Sequence, residues 1–259
     1  MSPPGAIIRR LGLHLFHLVA HRGNAREFPE NTLPAFASAL ECGAHALELD
    51  VQLIADGTPV VIHDSRLSRT TTGRGVVQAL SADALDVVDS GEPKRFGDRF
   101  RGTRIPRLAD VLALVDEQPD VTMFVEIKRE SLRWFGHDRV ITEVLRVIGP
   151  RRARCVLISF DREAVALARA RGAAAIGWVL SRYSQRARRQ AGALEPEFLF
   201  CNYKTLPPSG ALWPGRWAWV IYEVTSWPLA QALAARGVAF IETMAVREMA
   251  AALRTASTD

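Results

Sequence analysis

The chain has 259 residues, of which 48% are hydrophobic and 24% charged, a balance that is typical of a globular protein and excludes a disordered one. Its length suits one α/β barrel or one to two smaller domains. The net charge of +5 comes mainly from scattered arginines without a nucleic-acid-reading motif, so we expect no nucleic-acid partner.

Short apolar segments rich in β-branched residues alternate with segments of helical periodicity, which predicts βα units on a parallel sheet. The nine predicted strands are residues 15–20, 46–51, 60–62, 123–127, 155–159, 176–180, 198–201, 218–224 and 239–241. A barrel of this type has eight strands. One strand is therefore surplus, and we assign that role to residues 198–201.

Helical periodicity marks seven segments, which are residues 33–42, 107–118, 138–147, 161–171, 183–191, 228–236 and 246–254. Two regions interrupt the alternation. Residues 50–60 are too short for a helical crossover, so an extended segment must turn at Asp56-Gly57. Residues 64–106 contain no clear strand, and we expect an inserted segment there, after the third strand, that acts as a lid or specificity element.

The chain carries no convincing targeting or membrane-spanning segment. Residues 11–20 are apolar and follow two arginines, as in a signal peptide, but two histidines interrupt them. No other window approaches the roughly 18 apolar residues of a membrane span. The three cysteines match neither a zinc site nor a disulfide framework. We therefore expect a cytoplasmic protein.

Polar residues follow four early strands, at the end where catalytic groups collect in β/α barrels. They are His21 with Arg22, Glu48 with Asp50, His63 with Asp64, and Glu126 with Lys128. A single carboxylate at a strand end caps the next helix as readily as it binds a ligand. Four consecutive strands that carry complementary groups predict a functional site.

The acidic members of this set point to a cation. Glu48 and Asp50 are two residues apart and face the barrel interior together, where two carboxylates repel each other and lose hydration. One interpretation is an internal salt bridge with Arg22 or Lys128. The other, which we favour, is a hard divalent cation held by oxygen ligands, with Glu126 as the third.

The basic members suit a phosphate. Lys128 shares the inner face of Glu126, where its ammonium group can meet a phosphate oxygen or simply pair with that carboxylate. Arg22 can bind phosphate oxygens through its guanidinium. His21 and His63 end different strands and flank the carboxylates, which favours a general acid and a general base.

Further motifs run in order along residues 17–130 and continue at Ser159-Phe160. They are His21-Arg22-Gly23, Pro29-Glu30-Asn31-Thr32, Glu48-Leu49-Asp50-Val51, Asp56-Gly57, Val60-Val61-Ile62-His63-Asp64, Arg69-Thr70-Thr71, Ile105-Pro106 and Glu126-Ile127-Lys128. Together they resemble the glycerophosphodiester phosphodiesterase family. The resemblance implies one TIM-type (β/α)8 barrel domain over residues 1–259 with the family's insertion within 64–106. It also implies Mg²⁺ or Ca²⁺ on Glu48, Asp50 and Glu126, with His21 and His63 as acid and base.

The resemblance further implies a small-molecule substrate. A glycerophosphodiester would be hydrolysed to sn-glycerol 3-phosphate and an alcohol, in lipid and glycerol metabolism. One alternative is a related barrel phosphodiesterase that acts on lysophospholipid or sphingolipid, with Trp134-Phe135, Trp213 and Trp217 as an apolar rim. Another is a phosphodiester-binding protein without catalysis.

The last third of the chain departs from the family pattern. Tyr222-Glu223-Val224-Thr225 stands where Trp-Thr-Val-Asn is common, and Glu242-Thr243-Met244 where Ile-Thr-Asp is usual. Because neighbours on a strand alternate, we expect Tyr222 to face the interior and Glu223 to face the helices. Tyr222 and Trp178 would then form two aromatic walls for the substrate, or only fill the core.

Overall fold

Eight of the apolar segments form parallel strands that close into a barrel, which confirms the predicted fold class. The structure is a computed structural model and describes residues 15–256. In chain order the strands are β1 (His17–His21), β2 (Ala46–Leu53), β3 (Pro59–Val61), β4 (Thr122–Ile127), β5 (Cys155–Ser159), β6 (Ala175–Leu180), β7 (Phe198–Asn202), β8 (Ala218–Tyr222) and β9 (Phe240–Thr243). Around the barrel the order is β1, β2, β4, β5, β6, β7, β8 and β9, which pairs with β1 again.

The strand outside the barrel is β3, which pairs antiparallel with β2. The assignment of residues 198–201 as the surplus strand is wrong, because this segment forms β7 and pairs in parallel with β6 and β8. The reason lies in the connection between β2 and β3. It has no room for a helix, so β3 can only return along β2 as a hairpin partner.

Helices follow most strands and cover the outside of the barrel. In chain order they are α1 (Leu33–Glu41), α2 (Ala82–Val87), α3 (Pro93–Phe96), α4 (Leu108–Leu114), α5 (Arg129–Phe135), α6 (His137–Ile148), α7 (Arg162–Ala170), α8 (Gln185–Leu194), α9 (Trp227–Ala234) and α10 (Val246–Ala256). All seven predicted helices are present. The short helix α5 was not predicted, although it follows directly from Lys128 and borders the site described below.

Alternate residues of each strand face the two sides of the barrel wall. Inside the barrel, Phe124, Phe198 and Phe240 meet edge to face, with ring centroids 5.1 to 5.9 Å apart. Phe124 and Phe240 each lie two residues before a carboxylate, Glu126 and Glu242 respectively. The aromatic rings therefore form a floor beneath the acidic groups at the barrel mouth.

The inserted segment, residues 64–106, contains a 3₁₀ turn (Val77–Ala79) and the two short helices α2 and α3. It has a small core of its own, in which Leu67, Val77 and Leu85 pack against Ile54 and Ile62 from the β2–β3 hairpin. The hairpin thus anchors the insertion and fixes where it meets the barrel mouth.

Within residues 15–256, no helix is long and apolar enough to cross a membrane. Residues 11–14 of the apolar segment considered as a signal peptide lie outside the described residues, and the strand that its remainder feeds is β1. All three cysteines are buried free thiols.

Candidate active site

The structure gathers the sequence-predicted residues around a cavity of about 220 Å³ at the C-terminal ends of the barrel strands, here called the deep cavity. Seven of them line it, namely His21, Arg22, Glu48, His63, Glu126, Lys128 and Tyr222. Asp50 lies directly behind them, 1% exposed, with Arg22 and Lys128 against its carboxylate. His63 arrives from the hairpin, because the backbone N–H of Ile62 donates to the Asp50 carbonyl at 2.9 Å.

The motif His21-Arg22-Gly23 makes a sharp turn after β1. Arg22 has a left-handed backbone (φ 59°), and its N–H donates to both the carbonyl and a carboxylate oxygen of Glu48, at 3.0 and 3.2 Å. Gly23 follows with φ 82°, and a Cβ there would lie 2.6 Å from the backbone of Ala35. Only glycine fits this contact between the turn and α1, which aims the Arg22 side chain across the barrel mouth.

Three carboxylates converge as predicted. One oxygen from each of Glu48, Asp50 and Glu126 lies within 4.8 Å of the others, and all three residues are buried. Arg22 Nε lies 3.0 Å from Asp50, and Lys128 Nζ lies 3.1 Å from Asp50 and 2.9 Å from Glu126. The ion pairs of the alternative interpretation are thus also present, although two cations cannot neutralise three acids.

The donor atoms fit a hard divalent cation. All three side chains offer oxygen, which Mg²⁺ and Ca²⁺ prefer. Asp50 Oδ1 is buried, and its contact among residues 15–256 is the ion pair with Lys128 Nζ at 3.1 Å. Its other oxygen accepts from the Asn31 amide at 2.8 Å, which fixes the carboxylate plane. A carboxylate oxygen has two lone pairs, so beside Lys128 this oxygen retains one for a cation.

The electrostatics of the three acids differ. Burial, together with neighbouring Asp50, raises the pKa of Glu48 well above its ordinary value of 4.5. Burial also raises the pKa of Glu126, despite the opposing charge of Lys128. Burial acts in the same direction on Asp50, but Arg22 and Lys128 outweigh it and hold the pKa of this carboxyl far below its usual range.

A fourth carboxylate, Glu242 on β9, belongs to the site and was not assigned to it from the sequence. Its Oε1 lies 3.5 Å from His21 Nε2, and His21, Glu48 and Glu242 bring one ligand atom each within 4.8 Å. Glu242 is 2% exposed, and its Oε2 lacks a hydrogen-bond partner in the part of the chain that the structure describes. The available signal was its departure from the family pattern, together with its inward position two residues after Phe240.

The pH dependence of the free energy of unfolding should show that Glu242 is protonated in the folded protein. Burial and the nearby Glu126 raise the pKa of Glu242 well above 4.5, so the folded protein without metal holds a proton that the unfolded chain releases. Glu242 ionisation therefore removes stability as the pH rises above 4.5. We expect the stability gained by Glu242→Gln over the wild type to grow from pH 5 to pH 8, measured by denaturant unfolding in EDTA.

The difference in stability between the two proteins is the quantity to follow, because the main cause of the His21 contribution, burial, is common to both. Burial lowers the pKa of His21 from 6.5 to about 3, and such a group adds stability as the pH rises through 6.5. A stability difference that stays constant from pH 5 to pH 8 would mean that Glu242 ionises in the folded protein as it does in the unfolded chain.

The two histidines have different surroundings. His21 is buried, and burial with the charge of Arg22 keeps its imidazole neutral. His63 lies at the cavity rim, where its Nδ1 is 2.6 Å from Asp64. Arg69 binds the other oxygen of Asp64 and also binds Glu30, so the His63–Asp64 pair is held in a network of ion pairs.

Tyr222 lines the deep cavity, with its ring 6.5 Å from the His21 ring. Glu223 does not turn away to the helices as expected, but lines the same cavity. Strand β8 ends at Tyr222, and Glu223 has a left-handed backbone (φ 63°), so the alternation of a strand no longer applies. The Glu223 carboxylate pairs with Lys204 at 3.2 Å.

Trp178 does not line the deep cavity with the other predicted site residues. It packs in the core between the barrel wall and the helices, and its neighbour Val179 faces the deep cavity instead. The Trp178 indole N–H donates to the Phe160 carbonyl at 3.4 Å. The second aromatic wall comes from Phe160 and Phe200, which both line the cavity.

Residues 21–202 match the glycerophosphoryl diester phosphodiesterase family. The glycerophosphodiester phosphodiesterase of Caldanaerobacter subterraneus subsp. tengcongensis is 39% identical over 129 residues, which are 50% of this chain and 52% of that protein. Glycerophosphodiester phosphodiesterase 1 of Homo sapiens is 33% identical over 128 residues, or 49% and 36% of the two chains. These alignments span about half of the first relative's length and less of the second's.

Solved structures share the fold over nearly the whole chain. An Oleispira antarctica phosphodiesterase in complex with the product sn-glycerol-3-phosphate has a TM-score of 0.81 at 24% identity and covers 92% of this chain and 96% of its own. A glycerophosphodiester phosphodiesterase from Agrobacterium tumefaciens has a TM-score of 0.72 at 25% identity and covers 91% and 99%. With most of its length matched in sequence and its barrel mouth built from the matching motifs, this chain belongs to the glycerophosphoryl diester phosphodiesterase family.

Proposed function

We propose that this chain hydrolyses glycerophosphodiesters to sn-glycerol 3-phosphate and an alcohol, with Mg²⁺ or Ca²⁺ bound. The observation that carries the proposal is the convergence of three buried carboxylates, Glu48, Asp50 and Glu126, beside Arg22 and Lys128 at the barrel mouth. Family membership and the product bound by the Oleispira antarctica phosphodiesterase support this choice of reaction.

Glu48, Asp50 and Glu126 would hold the cation, which supplies Lewis acidity and neutralises charge at the phosphoryl group. Arg22 uses Nε on Asp50 and NH1 on Glu30, so its remaining guanidinium nitrogen is available to a phosphoryl oxygen. Lys128 spends two of its three protons on Asp50 and Glu126, which leaves one for the substrate. Both cations are therefore held in fixed positions before the substrate binds.

His21 and His63 divide the proton transfers. The neutral imidazole of buried His21 can accept the proton of the attacking hydroxyl, whether from water or from the substrate's own glycerol. His63 lies at the rim with Nδ1 held by Asp64, and its other nitrogen would donate a proton to the leaving alcohol. The buried position suits the base and the rim position suits the acid, because the alcohol must depart.

The lipid alternative has less support. Trp134 is 58% exposed, but Trp213 is buried against Tyr183 with ring centroids 3.9 Å apart, and Trp217 packs on Trp219. The apolar rim that a long acyl chain requires is therefore reduced to the Trp134 region. A binding protein without catalysis would not need both histidines beside the complete carboxylate set.

Tyr222 is the residue in which specificity for the alcohol or the glycerol should reside. Because its half-buried ring lines the deep cavity, we expect Tyr222→Ala to change the ranking of glycerophosphocholine, glycerophosphoethanolamine and glycerophosphoglycerol in kcat/KM. Tyr222→Phe separates the hydroxyl from the ring. The thermal midpoint should move little, since the ring is not fully buried.

The matched control for Tyr222 is Tyr203→Ala, which removes another half-buried tyrosine that does not line the cavity. It should leave the ranking unchanged. Equal losses on all three substrates with a large fall in thermal midpoint would make Tyr222 a core residue.

The reaction is tested by identifying its products. Purified protein with Mg²⁺ or Ca²⁺ is incubated with glycerophosphocholine, and sn-glycerol 3-phosphate is followed with a coupled dehydrogenase while choline is followed with an oxidase. We expect the two products in equal amounts. Formation of glycerol and phosphocholine would mean that the other ester bond is cleaved, and faster turnover of lysophosphatidylcholine would favour the lipid alternative.

A further inference from the structure

A second, wider depression of about 470 Å³, here called the open groove, continues from the deep cavity across the barrel mouth. The two share His63, Glu126, Lys128 and Phe160. A phosphodiester has two arms, and one bound at the shared Lys128 reaches both spaces. The deep cavity suits the small glycerol arm and the part of the alcohol next to the phosphate, and the open groove leads outward past His63 to solvent.

The charges of the open groove are not balanced. Its carboxylate Asp64 is paired with Arg69 and His63, and its carboxylate Glu130 lies 3.7 Å from the guanidinium of Arg133. Its acidic groups are thus already matched by cations.

Two guanidiniums of the open groove, those of Arg66 and Arg129, have no carboxylate partner within 4.0 Å among the described residues 15–256. Arg129 lies over the ring of Phe160, with its guanidinium carbon 5.4 Å from the ring centroid, which orients it along the groove wall. Both side chains are exposed, so the positive charge of this groove is available to a ligand.

We propose that the open groove is the subsite for the outer part of the leaving alcohol and that it selects alcohols carrying a phosphate group. This inference rests on the proposed function, since it concerns the second arm of the same substrate. Guanidinium groups match phosphate in geometry and charge. A cationic head group would instead face Arg66 and Arg129, which disfavours it.

The test compares leaving alcohols that differ in charge. Glycerophosphoinositol and glycerophosphoinositol 4-phosphate differ by one phosphate, and glycerophosphoethanolamine supplies a cationic alcohol. We expect kcat/KM for the phosphorylated substrate to exceed that for glycerophosphoinositol by about five-fold for each guanidinium, the factor for unit charges 4 Å apart in water. The preference should weaken as KCl is raised.

Variants test whether Arg66 and Arg129 cause the preference for the phosphorylated substrate. In the double variant Arg66→Gln with Arg129→Gln, the ratio between the two inositol substrates should fall to near one, because the charges removed act on the added phosphate group. Arg139→Gln removes an exposed arginine that does not line the groove and lies over the ring of Phe135, and it should keep the ratio. A short glycerol phosphate oligomer carries its next phosphate as a diester and not as a terminal monoester. Its kcat/KM, compared with that for glycerophosphoinositol 4-phosphate, shows whether the groove prefers a chain phosphate or a terminal phosphate.

Equal kcat/KM for the two inositol substrates, or a preference that survives in the double variant, overturns the subsite. If none of the substrates turns over with Mg²⁺ or Ca²⁺ present, the hydrolysis proposal fails. Calorimetric Kd values for the two inositol compounds then test whether the open groove binds the phosphate group. A tighter Kd for the phosphorylated compound that is lost in the double variant retains the subsite. Equal Kd values remove it.

Discussion

Glu48→Gln and Asp50→Asn should each abolish hydrolysis, and each should remove the rise in thermal midpoint that Mg²⁺ or Ca²⁺ gives the wild-type protein. The reason is that both residues supply oxygen to the same convergent set of buried carboxylates. A ligand present at 100 times its Kd adds about 2.7 kcal/mol to the free energy of unfolding, which is readily visible in a thermal scan.

Glu48→Gln is the cleaner of the two variants. Glu48 accepts only from the Arg22 backbone N–H among the described residues, and a glutamine oxygen can keep that bond. Asp50→Asn also removes the charge between Arg22 and Lys128, so its fold must be checked by circular dichroism. Glu41→Gln, an exposed acid at the end of α1, serves as the control. A variant that keeps full cation-dependent turnover would show that its residue is not a ligand.

His21→Ala and His63→Ala should each lower kcat by roughly 10²–10⁴, the usual contribution of general acid–base catalysis, without unfolding the protein. The wild-type rate should depend on pH in a bell shape. A p-nitrophenyl phosphodiester of glycerol tests the division of roles, because its leaving group departs without protonation. His63→Ala should recover most of its loss on this substrate, whereas His21→Ala should not.

His137→Ala is the control for the histidine variants, because His137 is partly exposed and contacts Asp161 away from the deep cavity. It should leave kcat unchanged. Recovery of both active-site variants on the p-nitrophenyl substrate would argue against His21 as the base. A rate that is flat from pH 5 to pH 9, with chemistry limiting, would argue against acid–base catalysis by either residue.

The half of the fold that carries the candidate site could be predicted because its signals are local. An i, i+2 pair such as Glu48 and Asp50 on an apolar strand specifies the barrel face, and the structure has both residues buried on that face. The turn at His21-Arg22-Gly23 is specified by the glycine and its contact with α1. The surplus strand was misassigned because counting apolar segments ignores the length of the connection, which makes β3 antiparallel.

The predicted orientations of Glu223 and Trp178 were wrong because of the backbone conformation at each position. Glu223 enters the cavity because its left-handed conformation ends the strand alternation, and a residue other than glycine gives little sign of such a conformation. Trp178 faces the helices because the inward position on β6 falls on Val179, a parity that an all-apolar strand does not reveal. Glu242 was visible as a departure from the family pattern, but its contact with His21 depends on the closure of β9 onto β1.

In the proposed function, the carboxylates at the barrel mouth bind a cation on which phosphodiester hydrolysis depends. The most direct test follows glycerophosphocholine by ³¹P NMR with protein first stripped by EDTA and then given Mg²⁺ or Ca²⁺. We expect no conversion in EDTA, conversion to sn-glycerol 3-phosphate after the cation is restored, and none with Glu48→Gln. Conversion that continues undiminished in the stripped protein would contradict the claim.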